Sequence, residues 1–433
     1  MIAELRILSR FFLPSSAYAM TRILLLFLLT IVLLSMTSCE PNPETTPDSD
    51  TEDESLHIKA ETLARESIIV DGHIDVPYRM TELEEDISEA TEHGDFDYPR
   101  AETGGLDAPF MSIYLPADRQ DTPGSSKALA DSLIDMVESF VARAPNKFAL
   151  AKSVADVRAN HEAGLMSLPM GMENGSGIED DLAHLQHFYD RGIRYITLTH
   201  AVDNKISDSS YDTTGTWNGL SDFGREVVAE MNRLGIMVDV SHVSDSAFYQ
   251  VMEISTAPVI ASHSSARHFT PGFERNMNDD MIRLLAEKNG VIMINFGSSF
   301  LSEEYRTKRE AADAHIETYL EENNLTEADS AAQEYTRSYY ADHVGYADIS
   351  NVVAHIDHVV NLVGIDHVGL GSDFDGVGDS LPIGLKDVSA YPSLVYELLK
   401  KGYSDEDIKK ILGENALRVW SEVEQLAAAS QAD

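Results

Sequence analysis

From residue 57 onward, short runs of β-branched and apolar residues alternate with stretches in which apolar positions recur every three to four residues. The first pattern fits strands buried on both faces, the second amphipathic helices, and their alternation predicts parallel βα units. Eight strands are expected, at 68–75, 110–115, 167–173, 195–200, 237–242, 259–263, 291–295 and 367–373. Ser221 is placed to cap a helix whose Phe223, Val227, Met231 and Leu234 share a face before Gly235 ends it. Residues 279–289 should end in the same way at Gly290, and the stretch from Ser404 supplies helical cover at the C-terminus. Eight such units predict an α/β fold, a (β/α)8 TIM barrel forming a single domain over residues 57–428. An open doubly wound sheet is the alternative, although no glycine-rich phosphate turn follows the first strand. Residues 301–345 interrupt the alternation as a polar, helical insertion after the seventh strand.

The N-terminus follows a different pattern. Residues 23–36 are a nearly unbroken apolar run, preceded by Arg22 and followed by Thr37, Ser38 and Cys39. The run is too short to cross about 30 Å of hydrocarbon as a helix, but it suits the apolar core of a signal peptide. Small residues before a cysteine at the end of such a run resemble a bacterial lipobox, with Met36 where leucine is usual. Residues 1–39 are therefore expected to be a lipoprotein signal peptide, its true start at Met20 and its lipid on Cys39. Residues 40–56, rich in Pro, Thr, Ser and acid, read as a disordered acidic linker. The expected location is the bacterial cell envelope, lipid-anchored to membrane and facing the periplasm or exterior.

Composition narrows the class. Apolar residues make up 43% of 433, enough for a substantial core. Acidic residues number 73 against 32 basic ones, a net charge of -41 spread along the chain, which argues against nucleic acid as a partner and suits a solvated surface in a salty environment. The one cysteine leaves no thiolate metal cluster and no intrachain disulfide.

Candidate chemistry gathers at the C-terminal ends of the expected strands. His73 and Asp75 close the first and alternate onto one face; Glu173, His200, His242, His263 and Asp373 close the third, fourth, fifth, sixth and eighth. In a parallel barrel these ends converge on the mouth that holds active sites. Taken singly, each has a structural reading: a satisfied histidine, or an acid capping the next helix, as Asp373 alone would be. Asp71 is read as bracing a turn, and the other histidines, His268, His355 and His358 among them, as surface or packing residues. Imidazoles and carboxylates without thiolates fit catalytic Zn²⁺, while Mn²⁺, Co²⁺ and Fe²⁺ accept the same donors. The donors outnumber what one tetrahedral ion needs, so two ions about 3.5–4 Å apart and joined by a carboxylate use them better.

Longer motifs carry a family resemblance. DGHIDVP (71–77), GGLDAPFMSIYLP (104–116), MGMENG (170–175), GIRYITLTH (192–200), LSDFGREVVAEMNRLGIMVDVSHVSD (220–245), PVIASHSSAR (258–267), RNMNDD (275–280) and GIDHVGLGSDFDGV (364–377) follow one another over roughly residues 65–425. In them the chain resembles the membrane (renal-type) dipeptidase family of zinc metallopeptidases. The resemblance implies a (β/α)8 barrel with two Zn²⁺: His73 and Asp75 on one ion, Glu173 bridging, and His242 and His263 on the other. It further implies that His200 contacts the substrate and the tetrahedral intermediate, that Arg275 holds the substrate carboxylate, and that Asp373 handles protons at the scissile bond. Without it, Arg275 would be read as a surface residue pairing with Asp279 or Asp280. Animal members carry lipid at the other end and use disulfides, so a homodimer here would form without one.

The expected activity is hydrolysis of dipeptides, with a D-residue on the leaving side accepted by family members, some of which also open β-lactams. Metal coordination lowers the pKa of water from 15.7 to about 7, which makes a hydroxide bridging the two ions the expected nucleophile. Another metal-dependent amidohydrolase, such as an N-acyl amino acid deacylase, and a non-catalytic solute-binding lipoprotein are the alternatives.

Overall fold

The computed structural model describes residues 49–432. Eight parallel strands close into a barrel: β1 (Ile69–Ile74), β2 (Leu106–Tyr114), β3 (Met170–Glu173), β4 (Ile193–Thr197), β5 (Met237–Asp239), β6 (Ile260–Ala261), β7 (Val291–Ile294) and β8 (Val368–Leu370). Each hydrogen-bonds to the next, and β8 returns to β1 through Asp71 and Leu370. Helices link the strands, as the alternation of runs required. This is the expected (β/α)8 TIM barrel.

Strand side chains divide by period two. Outward residues such as Ile69, Met111, Met172, Ile196, Val238 and Ile292 pack under the helices. Inward residues Val70, Phe110, Tyr195, Met237, Ile260, Val291 and Met293 fill the barrel, where Trp420 of helix Asn415–Ala432 meets Phe110 at a ring separation of 5.3 Å. The C-terminal helix thus plugs the interior, reached through a π turn, Lys410–Glu414, in which Gly413 is required because a Cβ would lie 2.3 Å from the Ile68 carbonyl.

The element bounds correct several expectations. The strands stop short of the expected bounds, which leaves Asp75, His200, His242, His263 and Asp373 in the loops that follow. The expected strand 167–173 is two: Met166–Leu168 pairs with Phe148–Leu150 in a separate sheet, and β3 begins after Pro169, which has no N–H to continue a ladder. Helix Asp222–Leu234 has the expected bounds, with the Ser221 side chain accepting from the Gly224 N–H and Gly235 left-handed at φ 86. Helix Asp279–Glu287 ends instead through Asn289 at φ 60; Gly290 is needed because a Cβ there would sit 2.5 Å from the Val259 carbonyl.

The expected linker is shortened, because helix Ser49–Glu66 occupies residues 49–56, while residues 40–48 lie outside the described residues. Ala60, Leu63 and Ala64, with the partly buried Leu56, form its inner stripe at helical spacing, and its early turns are acidic, as the helix dipole favours. The apolar run at 23–36 and Cys39 lie outside the described residues. Among the described residues no helix is long and apolar enough to cross a membrane. The insertion consists chiefly of helices Glu303–Asn323 and Ser330–His343.

Candidate metal centre at the barrel mouth

The inward series of the strands changes character toward the mouth. Two residues beyond Phe110, Tyr195, Met237, Ile260 and Met293 come Ser112, Thr197, Asp239, Ser262 and Asn295, all fully buried. This polar floor supports the residues above it. Glu173, the last residue of β3, stands at the centre with its two oxygens facing opposite ways. Oε2 is 3.3 Å from His73 Nε2, while Oε1 is 3.1 Å from His242 Nε2, 3.3 Å from His263 Nε2 and 3.6 Å from His200 Nε2. Asp75 Oδ2 lies 3.4 Å from His73 Nε2, and the Asp373 carboxylate joins these two within a common 4.8 Å. Every rim residue singled out in the sequence comes to this one place, apart from Cys39, which is outside the described residues.

The floor also fixes which nitrogen each histidine presents. The Tyr195 hydroxyl donates to the Gly72 carbonyl at 3.0 Å, so His73 Nδ1 is left to donate to that hydroxyl at 2.8 Å and Nε2 faces Glu173. Ser262 donates to Asp239 at 2.6 Å and in turn accepts from His263 Nδ1 at 2.7 Å, again turning Nε2 inward. Asp239 is anchored by the backbone N–H groups of Ser241 and Ser262 and by Thr197. Sequence reasoning passed over Tyr195, Asp239, Ser262 and Asn295. The signal that could have found them is the polar residue two positions after each inward apolar one.

Burial and charge set the protonation preferences. Burial alone would keep His73 neutral, but Tyr195, Glu173 and Asp75 outweigh it and raise its pKa well above the usual range. Burial raises the pKa of Glu173, yet His73 and His200, with hydrogen bonds from His242 and His263, bring it well below that of an ordinary carboxylate. His242 and His263 are held well below the ordinary imidazole value, chiefly by burial, with Arg275 adding to it. Asp373 is pushed up to about 7 by burial, with Asp75 and Glu173 adding to the rise, His73 opposing it, and Asn295 donating to Oδ2 at 2.7 Å.

These residues fit divalent ions. Among the described residues His73 Nε2, Asp75 Oδ1, His200 Nδ1 and His242 Nδ1 are buried without a hydrogen-bond partner, and His242 Nε2 and His263 Nε2 face each other at 2.9 Å. Two imidazole nitrogens converging this closely on a carboxylate oxygen call for a proton or a cation between them. His242 and Asp373 are held at φ 68 and φ 64, left-handed values that non-glycine residues adopt at a cost, here spent on aiming their side chains.

Arg275 is not the surface residue that pairing with Asp279 or Asp280 would make it. It is buried, donates to Ser264 Oγ at 2.6 Å and to the His263 carbonyl at 2.8 Å, and lies over the Phe300 ring, while its Nε has no partner among the described residues. Asp279 and Asp280 pair with His358 and Arg283 instead.

A parallel barrel with buried imidazoles and carboxylates at its C-terminal mouth defines a metal-dependent hydrolase. The chain belongs to the membrane dipeptidase family (peptidase family M19), which matches residues 58–433. It is 36% identical over 341 residues to dipeptidase aclJ of Aspergillus oryzae, covering 77% of this chain and 71% of that one. Among solved structures, the probable dipeptidase PvdM of Pseudomonas aeruginosa superposes with a TM-score of 0.74 at 28% identity, over 86% of this chain and 99% of that one. A metallopeptidase of Rhodobacter sphaeroides, liganded with a phosphinate mimic of the dipeptide L-Ala-D-Ala, gives 0.68 at 26% identity, over 83% of this chain and 100% of that one.

Proposed function

We propose that this metallopeptidase cleaves dipeptides with two divalent ions, zinc by donor type, His73 and Asp75 holding one, His242 and His263 the other, and Glu173 shared between them. The observation that carries the reading is the Glu173 carboxylate, whose oxygens address separate donor groups at 3.3 and 3.1 Å. When bound, such ions supply a Lewis acid and an activated water. The remaining chemistry belongs to the chain. Asp373, with a pKa near neutrality, takes the proton of the attacking water and returns it to the leaving nitrogen. His200 stands beside Glu173 and His242, where it can donate to the carbonyl oxygen as charge develops there. Arg275 is a buried cation with no carboxylate partner among the described residues, which favours a substrate that brings its own. A short substrate with a free C-terminal carboxylate answers that need. The dipeptide mimic bound by the Rhodobacter sphaeroides relative supports a D-residue on the leaving side. Lipid attachment at Cys39, on the cell envelope, is part of the same proposal and rests on the apolar run before that residue.

The test uses chain lacking residues 1–39, elemental analysis, and a panel of dipeptides and N-acetyl amino acids with and without chelator. Two equivalents of metal and chelator-sensitive cleavage of dipeptides, L-Ala-D-Ala included, are expected. Cleavage restricted to N-acetyl amino acids, or indifferent to chelator, overturns the reading.

A further inference from the structure

Away from the mouth, a second set of nitrogen and oxygen donors converges. His268 lies on the short turn Arg267–Phe269, Asp279 in the first turn of helix Asp279–Glu287, and His358 on helix Ile349–Val363. One donor atom from each falls within 4.8 Å of the others. The two imidazoles stack with centroids 4.4 Å apart and planes 18° from parallel, and Phe269 meets both edge-on at 4.9 and 5.7 Å. His358 Nε2 is 2.8 Å from Asp279 Oδ1, whereas no hydrogen bond to a described residue fixes the exposed His268 ring. Solvent therefore reaches the cluster from the His268 side.

We propose that His268, Asp279 and His358 form a third metal site, separate from the mouth, for a borderline transition-metal dication such as Zn²⁺, Ni²⁺ or Cu²⁺. Two imidazoles and one carboxylate select such ions over Ca²⁺ and Mg²⁺, which prefer oxygen donors, and water completes the coordination. As the ion enters, the Nε2 proton of His358 is exchanged through solvent for one on Nδ1, so that a neutral imidazole presents Nε2 to the metal. Bonds of about 2.0–2.2 Å at a tetrahedral angle put donor atoms about 3.4 Å apart, so Nε2 and Oδ1 must separate by about 0.6 Å and the His268 ring must turn out of its stack with His358. Partial exposure of both residues allows this.

The site has a structural consequence. Residues 267–278 form a loop that closes on itself, with Arg267 N–H donating to the Met277 carbonyl at 2.8 Å and Met277 N–H to the Ser265 carbonyl at 2.9 Å. His268 and Asp279 stand at its two ends. His355, one turn before His358, already holds the loop's base by accepting from the Ala266 N–H at 3.0 Å. An ion would tie both ends to the same helix and so brace the loop that carries Arg275.

Zinc-loaded enzyme titrated with Cu²⁺ or Ni²⁺ tests the site by calorimetry, elemental analysis and electron paramagnetic resonance. One equivalent beyond the tightly held ions is expected, with a Cu²⁺ spectrum split by two nitrogens. The exposed-side variant His268→Ala and the variant His358→Ala should each weaken it at least tenfold and leave kcat for dipeptides, measured without the added ion, at the parent value. An extra equivalent that survives in both variants, or none in the parent, overturns the proposal. Loss of hydrolysis from the parent, with the His268-dependent equivalent retained, would count against the dipeptidase reading alone.

Discussion

At the scale of single residues, Asp373 and Arg275 make opposite demands on their surroundings. The Asp373 carboxyl is raised to about 7 by burial and by Asp75 and Glu173, so it stays protonated to higher pH than a free aspartate, and its capacity to accept a proton is lost as pH falls. A base limb in kcat/KM therefore declines toward acid, and bound dications shift it to lower pH. Asp373→Asn should abolish that limb and lower kcat by roughly 10²–10⁴-fold with metal content unchanged. A pH–rate profile beside elemental analysis checks both halves; wild-type turnover in the variant removes Asp373 from proton transfer. Arg275 is a buried cation whose pKa is lowered by that burial, so it is stabilised by an incoming anion. Arg275→Ala should cost roughly 10–100-fold in kcat/KM for dipeptides with a free carboxylate. An amidated dipeptide, lacking the anion, should be equally poor with both enzymes. The rim residues were legible because histidine and acid at strand ends stand out against apolar runs. Ser262 and Asn295 were not, since serine and asparagine look ordinary until their inward register is known.

At the scale of elements, the strands were readable as β-branched runs, but their ends were not. Burial continues past Ile260–Ala261 and Val368–Leu370 into loops whose polar residues Ser262, His263 and Ser372 are as enclosed as the strands, so residue type and burial do not mark where ladder hydrogen bonds cease. Helix Ser49–Glu66 was obscured in the other direction, its buried stripe being thinned by acidic residues. The contact between β3 and β4 shows how elements serve the site. A Cβ on Gly171 would fall 2.0 Å from Cζ of Tyr195, the residue whose hydroxyl meets His73 Nδ1 at 2.8 Å. Gly171→Ala must push that ring aside, with an expected destabilisation of about 1–3 kcal/mol and metal binding weakened by about 10–100-fold. Tyr195→Phe keeps the packing and removes only the hydroxyl, so it should weaken metal binding with much less loss of stability. Urea melts and chelator competition separate the two; wild-type metal affinity in Tyr195→Phe would show that the hydroxyl does not position His73.

At the scale of the whole molecule, the barrel followed from the count and order of the runs, whereas the meaning of the 301–345 insertion did not, because its apolar residues pack mainly on one another. Tyr305, Ala312 and Val344 form one small cluster, Ile316, Leu320 and Ala332 a second, both separate from the barrel core, and Tyr319 stacks on Tyr335 at 3.5 Å. Its entry and exit are pinned together where Ala347 N–H donates to Ser298 Oγ at 3.1 Å, so a short linker can span them. One contact reaches toward the site: Arg306 lies over the ring of Phe273, in the loop that carries Arg275, at 4.2 Å. Replacing residues 303–344 by a short Gly/Ser linker should therefore leave a cooperatively melting barrel with its full metal content, since no ligand and no part of the main core is removed. The cost should fall on KM for dipeptides more than on kcat, because the loop behind Arg275 loses its support while Asp373 and Glu173 stay in place. Arg306→Ala in the intact chain should reproduce part of that KM effect. Loss of bound metal or of cooperative melting on excision would instead show that the two helices hold the barrel together.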